Sequence, residues 1–556
     1  MLNRLRVPVS LALFLLLGSG AIPSRGAEPP QSPAAAPKLV VLIVIDQMRT
    51  DYLERYGAQS TGGLHRLVQD GAWFKRGAYP FLNTITCAGH TTIGTGSFPY
   101  RHGMILNAWY NRQTGKEMQC TDDLSAREIS YSGLAPVSPG DSGRAIRMPT
   151  LADRIRERAH GRVATFSLKA RSAIGLAGHK GNPVIWFDER GGWATSSAFA
   201  SGPTPFLQEF INGHPITADY GRRWERMLGP SAYQNADDAE GELPNPKETG
   251  WTRSFPHAIG DPGGKPDRKF YTQWMRSPLS DEYLGRMAGA AIDALNLGRG
   301  PGTDFLGVSF SALDLVGHAF GPKSHEVQDI LARVDVTIGR LLDHLDATVG
   351  AGNYVVGFSS DHGVGEIPEQ VTGGGRQTNA NVRAALDAAL VPFFGPGRYV
   401  ALSAYTDIYL EQGVWKRLER HPKATAAALD ALRAVPGVAY AFTGSEIGAP
   451  GARTSADPVK RAAALNYYPG RSGDFIIVPR DNWMFTTSAT THGTLYPHDQ
   501  RVPVILLGPG IKKGSYDEDA TPADLAPTLA ALARIRFEPA DGRVLTEALA
   551  PPAAGR

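Results

Sequence analysis

Five short polar stretches of this sequence hold residue types that could together transfer a phosphoryl group. The first contains Thr86, where the aromatic loop 79–81 gives way to small residues that can begin a helix. A hydroxyl at a helix N-terminus lies in a positive electrostatic field, which favours a phosphoryl group nearby. Thr86 is therefore a candidate nucleophile, and the alternative is that it serves only as the N-cap of that helix.

Two further stretches place carboxylates and an imidazole where a metal ion could bind. Asp314 and His318 stand four residues apart after a predicted strand, a spacing that one helical turn presents to a single ion. Asp46 ends the apolar run 39–45, and ligands of open α/β sheets gather at the carboxyl ends of strands. Asp46 could equally cap a helix at 50–53, so its own pattern leaves both interpretations open.

The last two stretches add ligand types of the same kind. Asp361 and His362 follow a predicted strand that ends near Ser359, and His492 precedes the predicted strand 502–507. An Asp-His pair alone is more typical of a turn. Acidic and imidazole groups in four such clusters, together with a hydroxyl at a helix start, favour a metal site instead. Mixed Asp/His ligation without thiolates suits zinc.

An alternation of predicted strands and helices must position these residues. The run 39–45 is a β-branched segment of the kind that is buried on both faces of a parallel sheet. The alternation predicts an α/β fold with a mostly parallel sheet. It is interrupted by an irregular insertion at about 206–280 and a cap insertion at about 366–471. The other predicted strands are 162–167, 183–188, 304–310, 354–359, 475–478 and 502–507, and the main predicted helices are 62–70, 88–95, 150–160, 281–297, 325–349, 424–434 and 522–535.

The N-terminal residues indicate export. Residues 1–27 combine arginines with an apolar run and small residues, as in a signal peptide, and the Pro-rich stretch 28–37 predicts a disordered leader before a catalytic domain at 38–550. The chain has 57 basic and 54 acidic residues, and three of the arginines lie within 1–27. The mature charge is therefore balanced and gives no indication of nucleic acid binding. No later segment reaches 18 consecutive apolar residues, so we expect a periplasmic or secreted protein without a membrane anchor.

Cysteine use excludes two classes of protein. Cys87 and Cys120 are the only cysteines, so neither a disulfide scaffold nor a Cys-Xaa-Xaa-Cys zinc cluster is present. An oxidising compartment would permit one bridge, and the sequence leaves open whether the two thiols pair.

The order of the motifs resembles that of the alkaline phosphatase superfamily, specifically the phosphate-irrepressible alkaline phosphatases related to type I phosphodiesterases and nucleotide pyrophosphatases. The resemblance covers nearly the whole mature chain and rests on Thr-Cys-Ala-Gly-His-Thr, Asp-Xaa-Xaa-Gly-His, Ser-Asp-His-Gly and His-Gly-Thr in this order. It implies a three-layer sandwich around a mostly parallel sheet and two zinc ions per chain. The implied ligands are Asp314, His318 and His492 for one ion, and Asp46, Asp361, His362 and the Thr86 oxygen for the other.

The same resemblance implies which residues contact the substrate. Lys169 and Arg171 are similar to a Lys-Xaa-Arg element of the monoesterases and would neutralise a dianionic phosphate. The alternative is that they are solvent-exposed polar residues at the end of a strand, without a role in binding. Asn107 matches the phosphate-contacting Asn of the family. The implied activity is hydrolysis of small-molecule phosphate monoesters through a phosphothreonine at Thr86. A diester carries one charge less, and diesterases of the superfamily use an apolar pocket, so monoesters are favoured.

Several other interpretations are weighed against this one. A phosphodiesterase or nucleotide pyrophosphatase on the same scaffold is the main alternative, and a non-catalytic exported zinc-binding protein is another. A sulfatase would need a Pro two residues after Cys87 and an Arg four residues after it, where Gly89 and Thr91 stand. We expect a monomer. The histidines expected to have no ligand role are His90, His102, His179, His325 and His498.

Overall fold

Strand Leu39–Ile45 lies near the middle of a ten-stranded sheet. All seven of its side chains are apolar, which suits a position where both faces of the strand are buried. It pairs in parallel with Asp304–Phe310 on one side and Tyr354–Ser359 on the other. The computed structural model describes residues 36–137 and 139–551, and the predicted signal peptide and most of the predicted leader lie outside them. From one edge to the other, the strands are Gly514–Ala520, Ala72–Gly77, Val504–Leu507, Tyr354–Ser359, Leu39–Ile45, Asp304–Phe310, Val163–Ser167, Val184–Asp188, Gly192–Ser196 and Glu128–Ser130.

Helices cover both faces of this sheet. Alternate residues of the central strand face two different cores, with Val41 and Ile43 in one and Val40 and Leu42 in the other, as period-two geometry requires. The predicted α/β three-layer architecture is therefore confirmed. The helices on the first face are Gly63–Asp70, Pro278–Ala294, Ala312–Phe320 and His325–Thr348, and those on the second are Thr86–Thr95, Leu151–Arg158, Ala170–Ala177 and Leu525–Leu532.

A second, antiparallel sheet forms the core of the cap. Its strands, in order, are Val400–Ala404, Asp407–Leu410, Phe475–Pro479 and Val438–Thr443. Helices Asn379–Phe394 and Pro422–Ala434 pack on it around a separate apolar cluster. The strand Phe475–Pro479 pairs with two strands of the cap and belongs to the cap sheet. The cap sheet therefore extends beyond residue 471, where the sequence predicted the cap insertion to end.

The region predicted as an irregular insertion contains short regular elements. Helices Pro205–Gly213, Pro246–Thr249 and Arg268–Met275 accompany the paired strands Arg222–Trp224 and His257–Ile259. None of the helices in the described part of the chain has the length and apolar content to cross a bilayer. The remaining helices are Asp51–Arg55, Pro99–His102, Val414–Glu419, Gly444–Ile447, Pro458–Asn466 and Pro497–Gln500, and the remaining strands pair as Ala108–Asn111 with Lys116–Gln119, Asp122–Asp123 with Gly140–Asp141, and Gly375–Arg376 with Trp483–Met484.

Candidate active site

The buried ammonium of Lys169 lies between two carboxylates at the carboxyl edge of the sheet. Its Nζ is 2.5 Å from Asp46 Oδ2 and 2.5 Å from Asp314 Oδ2. Asp46 directly follows the central strand, and Asp314 lies in the first turn of helix Ala312–Phe320. Lys169 precedes helix Ala170–Ala177, so three consecutive strand ends meet at one point. The sequence predicted that Lys169 would face a phosphate, whereas its contacts here are with these two carboxylates.

Asp314 is also the centre of a first group of potential metal ligands. His318 Nε2 lies 3.3 Å and His492 Nε2 3.6 Å from Asp314 Oδ1. The other ring nitrogen of each histidine is within hydrogen-bond distance of a backbone carbonyl, at 3.0 Å for His318 with Thr490 and at 2.9 Å for His492 with Thr84. Such an arrangement orients Nε2 toward a ligand-binding position. The ligand atoms of Asp314, His318 and His492 lie within 4.8 Å of one another and could hold a metal ion.

The second group surrounds Asp46. His362 Nε2 lies 3.4 Å from Asp46 Oδ1 and 3.3 Å from Asp361 Oδ2. Ligand atoms of Asp46, Asp314 and His362 lie within 4.8 Å of one another, so Asp314 belongs to both groups. Two buried atoms, Asp46 Oδ1 and His362 Nε2, have no hydrogen-bond partner in the part of the chain that the structure describes. Unpartnered acceptors of this kind are costly to bury and fit coordination of a cation.

The electrostatics of the site also favour a bound cation. Burial raises the pKa of Asp46 well above its ordinary value, and the charges of Asp314 and Asp361 add to the rise. Burial acts on Asp314 in the same direction, but Lys169 and the nearest imidazole hold the pKa of its carboxyl well below the ordinary value. Burial, helped by two neighbouring imidazoles, lowers the pKa of His492 well below 6.5, which keeps the ring in its neutral, metal-binding form. Three carboxylates around one ammonium leave an excess of negative charge that divalent cations would neutralise.

Thr86 is the first residue of helix Thr86–Thr95 and is buried. The N-cap of the helix is Ile85, in an extended conformation, so capping does not account for a hydroxyl at Thr86. The helix packs tightly on the turn that carries Asp361, because a Cβ placed on Gly89 would lie 2.1 Å from the Asp361 carbonyl oxygen. The sequence therefore brings the candidate nucleophile and a candidate ligand together through one glycine.

Two residues are candidates for binding phosphate: Asn107 lies beside the start of this helix, and Arg171 follows Lys169 in the chain. Asn107 Oδ1 accepts a 2.9 Å hydrogen bond from the backbone N–H of Cys87, which ties the Asn107 amide to the helix N-terminus. Arg171 lies in the first turn of helix Ala170–Ala177, two residues after Lys169. Its Nε is buried and has no hydrogen-bond partner among residues 36–137 and 139–551. A partly buried guanidinium with an unused donor suits an anionic ligand.

Gln47 is a site residue that the sequence did not reveal. Its backbone N–H donates to Asp361 Oδ1 at 3.1 Å, and its Nε2 donates to Asp314 Oδ1 at 2.7 Å. Gln47 adopts a left-handed backbone with φ of 69°, which lets one residue reach both carboxylates. A Cβ on Gly317 would lie 1.9 Å from Gln47 Oε1, so the glycine of the Asp-Xaa-Xaa-Gly-His motif makes room for Gln47. The only signal in the sequence was its position directly after a strand-terminal Asp.

The histidines expected to lack a ligand role lie outside both ligand groups. His90 Nδ1 is 3.0 Å from the Thr86 carbonyl and its Nε2 is 2.7 Å from Ser309 Oγ, although Nδ1 also lies 3.1 Å from Asp361 Oδ2. Both ring nitrogens are also engaged in His102, His179 and His325. The two cysteines form a disulfide, Cys87–Cys120, which the sequence had left open.

Comparisons with known proteins find relatives over nearly the whole chain. The chain is 30% identical to the alkaline phosphatase PhoV of Synechococcus elongatus, over 97% of this chain and 98% of that protein. It is 30% identical to the alkaline phosphatase PafA of Elizabethkingia meningoseptica, over 92% of this chain and 94% of that protein. The crystal structure of wild-type PafA superposes with a TM-score of 0.83 and 30% identity, over 93% of this chain and 99% of that one.

A more distant structure shares the fold. Murine ectonucleotide pyrophosphatase/phosphodiesterase 5 superposes with a TM-score of 0.53 at 15% identity, over 92% of this chain and 100% of that one. The model of the type I phosphodiesterase/nucleotide pyrophosphatase family matches residues 40–501. The match includes every predicted ligand from Asp46 to His492. This protein therefore belongs to the type I phosphodiesterase/nucleotide pyrophosphatase family, as the resemblance of its motifs predicted.

Proposed function

We propose that this protein is an exported alkaline phosphatase that binds two zinc ions and hydrolyses phosphate monoesters through a phosphothreonine intermediate. The observation that carries the proposal is the pair of ligand groups sharing Asp314, next to the helix that starts at Thr86. The similarity to PhoV and PafA over nearly the full chain supports the monoesterase class. The signal-peptide pattern and the disulfide support export to an oxidising compartment.

The residues suggest a two-step reaction. Zinc held by the two ligand groups would supply Lewis acidity that lowers the pKa of the Thr86 hydroxyl and stabilises the leaving oxygen. Thr86 Oγ loses its proton and attacks phosphorus, the bond from phosphorus to the ester oxygen breaks, and this oxygen takes up a proton and departs as the alcohol. Water then attacks the phosphothreonine from the vacated side. The bond from phosphorus to Thr86 Oγ breaks, which releases inorganic phosphate and restores the hydroxyl.

Three side chains would bind the non-bridging phosphate oxygens. Arg171 has a buried Nε without a partner among residues 36–137 and 139–551. Asn107 can donate from its Nδ2 group at the start of helix Thr86–Thr95, because its Oδ1 accepts from Cys87. Lys169 neutralises Asp46 and Asp314 in the structure, and we infer that it turns to the substrate when those carboxylates act as metal ligands. A crystallised variant of PafA, with a TM-score of 0.83 and 28% identity to this chain, replaces one Thr, one Asn, one Lys and one Arg. These are the four residue types proposed here.

A phosphodiesterase on the same site is the second candidate. A cavity of about 570 Å³ borders His318 and His492 and is also lined by the aromatic side chains of Tyr405, Trp483 and Phe485. Such a cavity has room for an organic group, which a diester carries in addition to its alcohol leaving group. The two cations Lys169 and Arg171 favour the dianionic monoester instead.

The test compares kcat/KM on an aryl phosphate monoester and on the matching methyl diester, with zinc quantified in the same purified protein. We expect two zinc ions per chain and a strong preference for the monoester. A preference for the diester would assign the protein to the phosphodiesterases. Bound zinc without turnover of either ester would make it a non-catalytic zinc-binding protein. Fully active protein with one zinc ion or none would refute the two-metal proposal.

A further inference from the structure

Tyr405 occupies an unusual position at the tip of a cap hairpin. It lies between strands Val400–Ala404 and Asp407–Leu410 and has a left-handed backbone with φ of 53°. Its side chain is 39% exposed. Left-handed conformations are unfavourable for large side chains and are usually taken by Gly or Asn. A strained, exposed aromatic residue gains little from its own packing, so its contacts indicate what it could do at this position.

The contacts of Tyr405 point to the candidate active site. Its hydroxyl accepts a 3.3 Å hydrogen bond from Asn107 Nδ2. Its ring is close to Gly493, next to the candidate ligand His492, since a Cβ placed on Gly493 would be 4.0 Å from Tyr405 Cδ1. The residue also lines the cavity that borders His318 and His492. The cap thus reaches the site at this tip.

The hydrogen bonds of Asn107 define what Tyr405 could do. Its Oδ1 accepts from the N–H of Cys87, so the Nδ2 group faces away from the helix. An amide nitrogen has two hydrogens. One of them is directed to the Tyr405 hydroxyl, and the other remains for a phosphate oxygen. With both ends held, the amide cannot rotate out of its donating orientation without losing a hydrogen bond.

We propose that Tyr405 is a positioning residue of the cap, which holds the Asn107 amide in the orientation that donates to the substrate phosphate. The proposal rests on the proposed phosphate contact of Asn107. It makes the cap part of the phosphate site, in addition to any role of the cap in covering the organic part of the substrate. Its strained backbone is the structural cost of bringing a hydroxyl to this point.

A double-mutant cycle tests the proposal in the zinc-loaded enzyme. Tyr405→Phe removes only the hydroxyl and should lower monoester kcat/KM about 3- to 10-fold, the size expected for one hydrogen bond. In the Asn107→Ala background the same change should have almost no further effect. Tyr440→Phe, at an exposed tyrosine of the same cap sheet, is the matched control and should leave kcat/KM unchanged.

The outcomes separate this proposal from the proposed function. An unchanged rate in Tyr405→Phe, or an equal loss in both backgrounds, would overturn the positioning role of Tyr405. An unchanged rate in Asn107→Ala would instead refute the phosphate contact itself, and with it the reason for positioning Asn107.

A second variant distinguishes function from structure at the same position. Tyr405→Gly relieves the left-handed strain and removes the hydroxyl. We expect its melting temperature to equal or exceed that of the wild type while its kcat/KM falls at least as far as in Tyr405→Phe. A melting temperature several degrees lower with full activity would show that the ring serves only the fold.

Discussion

Replacing Gly89 by Ala tests the close approach of helix Thr86–Thr95 to the turn that carries Asp361. In the middle of a helix this change alone should stabilise the fold by about 1 kcal/mol, because Ala is the better helix former. Here the added Cβ would lie 2.1 Å from the Asp361 carbonyl oxygen, and real Cβ atoms keep at least 3.0 Å from such atoms. The helix or the turn must therefore retreat by about 0.9 Å. Overpacking of this kind costs about 1–3 kcal/mol, so we expect a net loss of stability.

The effect on catalysis should be larger than the effect on stability. A displacement of about 1 Å between reacting groups lowers rates about 10²-fold, so monoester kcat/KM of Gly89→Ala should fall by about that factor. The control is Gly213→Ala, since Gly213 also lies in a helix, as its last residue, and a Cβ there meets nothing within 4 Å. Steady-state kinetics, thermal melting and zinc content are measured for both. A Gly89→Ala enzyme with wild-type melting temperature and a rate within 3-fold of wild type would refute the packing of Thr86–Thr95 against Asp361.

Three other predictions concern single groups. Thr86→Ala should abolish turnover and leave the circular dichroism spectrum unchanged, whereas Thr86→Ser keeps the oxygen and should retain part of kcat/KM; full activity in the alanine variant would mean that water attacks directly. The Lys169→Ala/Arg171→Ala double variant should lose about 10³-fold in monoester kcat/KM and much less on a diester, and equal losses would show that the pair only shapes the site. Burial raises the pKa of Asp281 to about 7 in the folded protein. The folded state therefore binds this proton more tightly than the unfolded state does, which stabilises the fold by on the order of 4 kcal/mol below about pH 4. This contribution is lost as the pH rises from about 4 to about 7. Asp281→Asn keeps the acceptor and cannot titrate, so its melting temperature should gain on that of the wild type between pH 4 and 7; parallel pH curves would contradict the assignment.

The sequence predicted the interior of the fold better than its edges. Strands Asp304–Phe310 and Tyr354–Ser359 have the predicted bounds, because strands buried on both faces of a sheet are nearly continuous apolar runs. The edge strand Gly514–Ala520 was missed, since Ser515 and the acidic run 517–519 give it no apolar pattern. Such a strand forms because its backbone pairs with that of Ala72–Gly77. This pairing depends on the tertiary structure and cannot be predicted from the local sequence.

Some residues of the candidate site could be predicted from the sequence and others could not. Asp314 and His318 share one helical turn, so their spacing predicts a shared ligand position. His492 joins them only through the fold, and the resemblance of its motif to a known family was needed to place it in the group. Gln47 could not be predicted, because its role depends on a left-handed backbone and on Asp314, which is 267 residues away.

The disulfide Cys87–Cys120 closes a covalent ring that contains Asn107 and begins at the residue after Thr86. Closing a loop with a sequence separation of 33 residues restricts the unfolded chain and stabilises the fold by about 3–4 kcal/mol. The ring also joins the segment carrying Asn107 to the start of the nucleophile helix by a bond that thermal motion does not break. Oxidation of these two thiols therefore ties two segments of the candidate site to each other. A chain synthesised in a reducing compartment would hold Thr86 and Asn107 together by non-covalent contacts alone.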